Sequence, residues 1–368
     1  MPIEMLSRRA LNRALLARQF LLEREPTPPL RAIERLVGMQ AQEARPPYVG
    51  LWARLQNFKR EELTRLLLAR KVVRVTAMRC TLHLMSARDY VALRPALQPA
   101  LSATVRSAVT AQLGGVDLPA LLACARAHFE GAHCTFESLR GHLESSGLRG
   151  DVRALAYTVR THLPLVQVPT DTAWGFLARA NFATAESWLG EPIEIAGEAP
   201  PADALVLRYL AAFGPASAGD AQNWSGLRGL GDAFARLRPK LRAFRDEAGR
   251  ELLDLPKAPR PDEDAPAPVR FLPDYDNLIL GHADRTRVIA DAHRRAVVTP
   301  NLRVLATFLV DGFVAGTWKV ERKAKGAKLV MQPFAPLAKK VRDGLVGEGE
   351  ALARFVEPDV VKVESVFK

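Results

Sequence analysis

Apolar residues recur along the first hundred positions at helical spacing. Leu11, Ala14, Leu15, Arg18 and Leu22 place an amphipathic helix over Ser7 to Glu23. Pro26, Pro28 and Pro29 punctuate it. Leu30, Ile33, Val37 and Gln40 then fall three and four residues apart, the stripe of a second helix running to Gln40. The pattern predicts a third helix over Tyr48 to Leu55 and a fourth over Lys59 to Arg70. Beyond them the period changes to two. Val72 to Thr76 and Thr81 to Met85 read as strands around Arg79-Cys80. Helices followed by a two-stranded hairpin make a winged helix-turn-helix. Ser86 to about Gln112 is expected as a connecting helix interrupted near Pro95 and Pro99.

The order repeats. Helices are predicted from Asp117-Leu118-Pro119, from the cap Thr135 to Ser146-Gly147, and over Asp151 to Thr161, with a wing from Leu163 to Val168 and Phe176 to Arg179. A third round places helices over Ala202 to Phe213, Ser217 to Trp224 and Leu230 to Leu237. Leu241 to Arg245 and Glu251 to Leu255 then flank the turn Asp246-Glu247-Ala248-Gly249. Pro256, Pro259, Pro261, Pro266 and Pro268 mark a linker. Short strands follow, at Val288-Ile289, Ala296 to Val298, Val304 to Val310, Phe313 to Val320 and Lys328 to Met331. Further helix is expected over Leu337 to Glu350. The predicted fold is α+β: three tandem winged helix-turn-helix units (1–113, 114–199 and 200–258) and a C-terminal β-barrel-like domain (269–368).

Within this frame Gln40 is out of place, since it continues an apolar stripe with an amide that needs hydrogen-bond partners. Gln42 lies two residues on, and such positions do not share a helix face. Both amides serve one site only if the helix ends or distorts there, and Pro46-Pro47 favours an early end. Bonding to nearby backbone is the plainer role for such a pair. Holding a water or a ligand is the other.

The 368 residues carry a net charge of +12, spread along the chain and mostly on Arg. That balance points to a polyanion, nucleic acid before membrane. Three cysteines, Cys80, Cys124 and Cys134, have no paired spacing, which suits a reducing cytoplasm. The N-terminus lacks the apolar core of a signal peptide, and no apolar run is long enough to span a membrane. His128, His133 and Cys134 lack the paired spacing of zinc ligands and read as structural. There is no triad motif, phosphate-cradling loop or dinucleotide fingerprint. No cofactor and no metal are expected. His83, alone among apolar neighbours, reads as a core residue. Leu272-Pro273-Asp274-Tyr275-Asp276-Asn277 could serve catalysis or turn the chain, and turn chemistry favours the second.

Three stretches together resemble a known family. They are Gly38-Met39-Gln40-Ala41-Gln42, then Met78-Arg79-Cys80-Thr81-Leu82-His83-Leu84, then Leu272 to Leu280 with His282-Ala283-Asp284-Arg285. In this order they look like the landmarks of the AlkZ/YcaQ-like winged-helix DNA glycosylases, over nearly the whole chain. The resemblance implies tandem winged helices scaffolded by a β-barrel, and a catalytic Gln-apolar-Gln that Gln40-Ala41-Gln42 matches. Cys80 stands where a Gly is common, and Ala41 is a small apolar residue. It further implies excision of bulky N7-alkylpurines, in some members unhooking of interstrand crosslinks, and kinship with self-resistance enzymes of DNA-alkylating natural products.

The chemistry suits neutral amides. Sugar–base cleavage passes through an oxocarbenium-like state. A base already cationic by N7 alkylation leaves without a general acid. Two Gln side chains can then orient the water. The expectation is a monomeric, monofunctional, cytoplasmic, nucleoid-associated glycosylase acting on double-stranded DNA. Gln40 and Gln42 would be catalytic, with Asp274, Asp276 and His83 as further catalytic or electrostatic candidates. Arg45, Arg74, Arg79, Arg322, Lys323 and Lys325 are the candidate DNA contacts, the last three in a basic loop over 322–328. The alternatives are a winged-helix transcription regulator without catalysis and a protein that uses its wings for protein contacts.

Overall fold

A computed structural model describes residues 3–195, 200–323 and 326–368, and they form an α+β fold. No helix among them is long and apolar enough to cross a membrane. The first helix, Arg8–Arg18, is capped by the Ser7 hydroxyl, which accepts from Ala10 N. The next is Pro29–Arg35, and here the sequence expectation fails. The helix stops five residues short of Gln40. Gly38 N reaches Ile33 O at 3.0 Å and Val37 N reaches Glu34 O at 3.2 Å, the paired bonds of a Schellman stop. Val37 and Gly38 both turn left-handed, with φ of 56° and 85°. A Cβ at Gly38 would lie 2.9 Å from Met85 Cγ, so only glycine passes the sheet edge there. Met39–Gln40 is then a two-residue strand, antiparallel to Leu82–Ser86.

That strand is the edge of a five-stranded sheet in the order Met39–Gln40, Leu82–Ser86, Val72–Thr76, Leu165–Gln167, Phe182–Thr184. The hairpin over 72–86 and the helices Pro46–Arg54 and Arg60–Leu68 agree with the sequence pattern. The second expected wing does not. Leu165–Gln167 pairs with Phe182–Thr184 rather than with 176–179, and it joins the first hairpin instead of standing apart. Phe176 is taken into the core beside Leu67 and Tyr48. The connecting helix, Ala87–Ala108, is continuous through Pro95 and Pro99. The prolines lie four apart on one face and neither is fully buried, so the freed carbonyls of that face can turn to water.

The third stretch holds helices Asp203–Phe213, Ala218–Ser225 and Leu230–Leu237, followed by the hairpin Arg242–Asp246 and Glu251–Asp254. Glu4–Leu6 adds a parallel third strand that three residues could not announce. Arg18 and Asp254, both fully buried, pair at 2.7 Å and tie the first helix to this hairpin. Arg13 and Arg18 also donate to Ala265 O and Pro259 O, so the proline-rich linker is held against the same helix.

The C-terminal part is an open sheet, not a closed barrel, in the order Lys362–Phe367, Gly326–Pro333, Phe313–Lys323, Thr307–Val310, Arg270–Leu272. Helix Lys339–Val356 covers one face, burying Leu345, Leu352 and Val356 against Phe271, Phe308 and Leu329. A helix laid on the sheet buries its apolar face without closure. The strands expected at 288–289 and 296–298 are absent. Asp291–Val297 is a helix, and Val288 and Ile289 are buried in a turn, bonded to Arg285 O and, at Val288 O, to Val314 N, rather than in a strand. A short apolar run does not separate strand from buried coil or helix.

Candidate active site

Gln40 stands opposite His83 in the edge pairing, and Ala41 N continues the ladder by donating to Leu82 O at 2.7 Å. The side chain of Gln42 then replaces the next ladder bond, its Oε1 accepting from Leu82 N at 3.4 Å. Gln40 is buried and Gln42 is exposed, so the inner amide meets the protein and the outer one meets solvent.

Three residues pin this segment. Asn277 bridges it from the C-terminal side: its Nδ2 donates to Gly38 O at 2.7 Å and its Oδ1 accepts from Gln40 N at 3.4 Å. Arg74 donates through Nε to Ala41 O at 2.8 Å and through Nη2 to Gln42 O at 3.1 Å, with its guanidinium over the Phe176 ring. Arg79 donates through Nη2 to Gln40 Oε1 at 2.7 Å. Arg74 and Arg79 are candidate phosphate contacts by charge, but both point inward. Burial lowers each to a pKa of about 10, aided by Arg160 for Arg74 and by Arg285 for Arg79. Both remain cationic at neutral pH.

The acid-rich landmark serves mainly as support. Asp276 caps the short helix Asn277–Leu280 by accepting from Leu278 N, and it takes a bidentate pair from Arg54 at 2.7 and 2.9 Å. Both side chains are at most 1% exposed. Asp276 therefore has no free oxygen to offer a substrate, which removes it from the catalytic candidates. Asp274 is different. Arg303 lies 3.3 Å from it and 3.3 Å from Glu43, joining the two acids. These carboxylates raise the Arg303 pKa. Arg45, half-buried and without an ion pair among the described residues, lines with Asp274, Arg303, Trp318 and Gln332 a cavity of about 280 Å³.

His83 is fully enclosed. Burial, then Arg79, lowers its pKa to about 3, and Nδ1 lies 3.1 Å from Thr81 O. It is a neutral core histidine, as its neighbours in the sequence suggest, and it has no proton to give at neutral pH. Arg322 and Lys323 are exposed at the end of strand Phe313–Lys323, facing Glu357 at 2.5 Å and Glu364 at 3.8 Å. They share no bond with the 38–45 segment. Lys325 lies outside the described residues. No cluster of three or more metal-ligating side chains occurs among the described residues.

Nothing in the local sequence marks Arg303 or Arg54, whose partners Glu43 and Asp276 lie more than two hundred positions away. Asn277 is visible as part of a landmark, but its grip on the glutamine segment is not.

A family model described as DNA glycosylase AlkZ-like matches residues 33–355. Among solved structures, the Streptomyces sahachiroi DNA glycosylase AlkZ aligns with a TM-score of 0.76 at 22% identity, over 98% of this chain and 100% of that one. That likeness is one of fold. No curated protein matches the sequence.

Proposed function

This chain belongs to the AlkZ-like DNA glycosylase family, and from that premise we propose that it hydrolyses the N-glycosidic bond of N7-alkylated purines in double-stranded DNA, with Gln40 and Gln42 as its catalytic residues. The observation that carries this reading is the clamped edge segment. Asn277 and Arg74 hold the backbone of the segment and Arg79 holds the Gln40 amide oxygen from inside, while the Gln42 amide stays exposed. Holding a group in reacting geometry is what a weak base needs to be useful.

N7 alkylation places a positive charge on the purine, so the leaving group departs without a proton. The task left to the protein is to hold a water and to tolerate charge on the sugar. Amides do the first. Glu43 and Asp274 do the second, since fixed carboxylates beside the glutamine segment favour a developing cation even when shared with Arg303. Normal bases, which leave as anions, gain little from such a site. A bulky or crosslinked base cannot be flipped freely into a tight pocket, and an open, basic groove suits it.

In this reading the three helix-rich stretches act as winged helices along the duplex, and Arg45, Arg322, Lys323 and Lys325 meet phosphates. The enzyme works as a cytoplasmic, nucleoid-associated monomer, in repair of alkylation damage or in resistance to a DNA-alkylating natural product, including its crosslinks. The test is release of free base from an N7-methylguanine duplex, with an unmodified duplex of the same sequence as control. Release from the first alone supports the reading. Binding of both without release from either overturns it and leaves a DNA-binding protein.

A further inference from the structure

Arg79 stands at the tip of the hairpin over 72–86, in a tight turn where it and Cys80 are left-handed at φ of 53° and 59°. The turn packs on the end of helix Ala218–Ser225. A Cβ at Gly226 would come within 3.2 Å of the Arg79 backbone, so the two turns meet without spare room. There Arg79 Nη1 donates to Trp224 O, one of the last carbonyls of that helix, where the helix dipole favours a cation. Its other donor, Nη2, reaches Gln40 Oε1 at 2.7 Å. No carboxylate pairs with Arg79 among the described residues.

Arginine has donors only. The group of Gln40 that faces it must therefore be the oxygen, and the amide orientation is fixed by chemistry rather than by choice of fit. Gln40 Nε2 has no protein partner among the described residues and is not among the enclosed polar atoms. It therefore keeps contact with solvent. Gln42 is held more loosely, by the single 3.4 Å bond from Leu82 N, and it is exposed.

We infer that Arg79 is a positioning residue for the glycosylase reaction, turning Gln40 so that it meets the incoming oxygen as a hydrogen-bond donor. The inference rests on the reading of Gln40 and Gln42 as the reacting amides. It divides their labour. Gln40, its oxygen committed to Arg79, holds the oxygen of the water. Gln42 Oε1 accepts a hydrogen bond from the water, and the proton the water sheds passes to a carboxylate of the Asp274–Glu43 pair or to bulk solvent, with no change in oxidation state. A carboxylate at position 40 would keep the bond from Arg79 and lose the donor.

Single-turnover release from an N7-methylguanine duplex tests this with R79M, R79K, Q40A, Q40E and the double variant Q40A/R79M. R79M is expected to lose roughly 10²-fold in rate, the scale of a small misplacement, with duplex affinity and its salt dependence unchanged. R79M should cost nothing further in the Q40A background, and Q40E should be as slow as Q40A. A wild-type rate in R79M overturns the proposal. So does an equal further loss in the Q40A background, or a weaker affinity whose salt slope falls by about 0.9, the mark of a phosphate contact. If R79M does not fold, R79K decides: a slow rate at an unchanged melting temperature supports the role, and a wild-type rate refutes it. An active wild type insensitive to Arg79 overturns this proposal alone, whereas an inactive wild type overturns the glycosylase reading and this with it.

Discussion

The segment 38–42 and the basic end of the strand Phe313–Lys323 are both polar and both candidates for work on DNA, yet they are built on opposite terms. The first is fixed by side chains from three parts of the chain, turned inward: Arg74 and Arg79 on the 72–86 hairpin, Asn277, and, next to Asn277, Asp276 paired with Arg54. The second carries Arg322 and Lys323 in solvent beside surface acids. Exposed pairs contribute little to stability and weaken with salt. Buried, hydrogen-bonded ones are costly to break. Geometry should therefore govern the first region and ionic strength the second. Perturbing one region should leave the other silent.

The largest effect belongs to the amides. Changing Gln40 and Gln42 together to Ala should reduce base release from an N7-methylguanine duplex to the uncatalysed level, while duplex affinity at fixed salt stays near wild type. Phosphate contacts, not these amides, are expected to carry affinity. Normal release by the double variant would remove the segment from the mechanism. Single E43Q and D274N variants sharpen the same contrast. If either carboxylate is the essential base, its neutralisation should cost roughly 10²–10⁴-fold. If both only favour the sugar cation, each should cost much less than loss of Gln42.

Next comes the support beneath the segment. D276N leaves Arg54 buried without its counter-charge and should lower the stability of the protein by roughly 3–5 kcal/mol, read from denaturant unfolding. A loss in catalytic rate at full stability would instead return Asp276 to the catalytic candidates.

The same two regions show what is legible in the chain. The hairpin over 72–86 and most helices follow from period and caps, because both are local. The amides are visible because a Gln sits on an apolar stripe, but the helical geometry inferred from that stripe is wrong. The Schellman stop at Val37-Gly38 ends the helix before Gln40 and makes it an edge strand. The fused sheet is not legible, since the partner of Leu165–Gln167 depends on what the first hairpin leaves unpaired. Nor can charge alone tell Arg74 and Arg79 from Arg322. Side-chain direction separates them, and direction comes from tertiary packing.

Histidine titration gives a smaller effect that leaves the rate untouched. His83 and His282 are both lowered to about 3, by burial first, then by Arg79 and Arg287 respectively. The unfolded chain takes up these protons below about 6.5 and the folded chain does not. Stability from this source is complete above pH 6.5, declines as pH falls from about 6.5 towards 3, and changes no further below that. Melting temperatures should fall over this window, and H83Q should flatten the decline. The single-turnover rate should show no inflection near pH 6.5. An inflection that H83Q removes would make His83 a participant.

The smallest effect tests the second region. Arg322 and Lys323 already face Glu357 and Glu364, so a phosphate must displace a carboxylate that is itself exposed and screened. That exchange is nearly balanced, and its yield comes from release of condensed counterions. The double variant R322Q/K323Q should therefore weaken duplex binding modestly and lower the salt slope by about 0.9 for each phosphate left without its cation, with the single-turnover rate at saturating enzyme unchanged. A lower saturated rate with an unchanged slope would mean that this strand end shapes the site rather than the affinity. An unchanged slope and an unchanged rate would mean that the two cations only answer their own acids, and would place the phosphate contacts elsewhere, with Arg45, which lines a cavity with Asp274 and Arg303, as the first candidate.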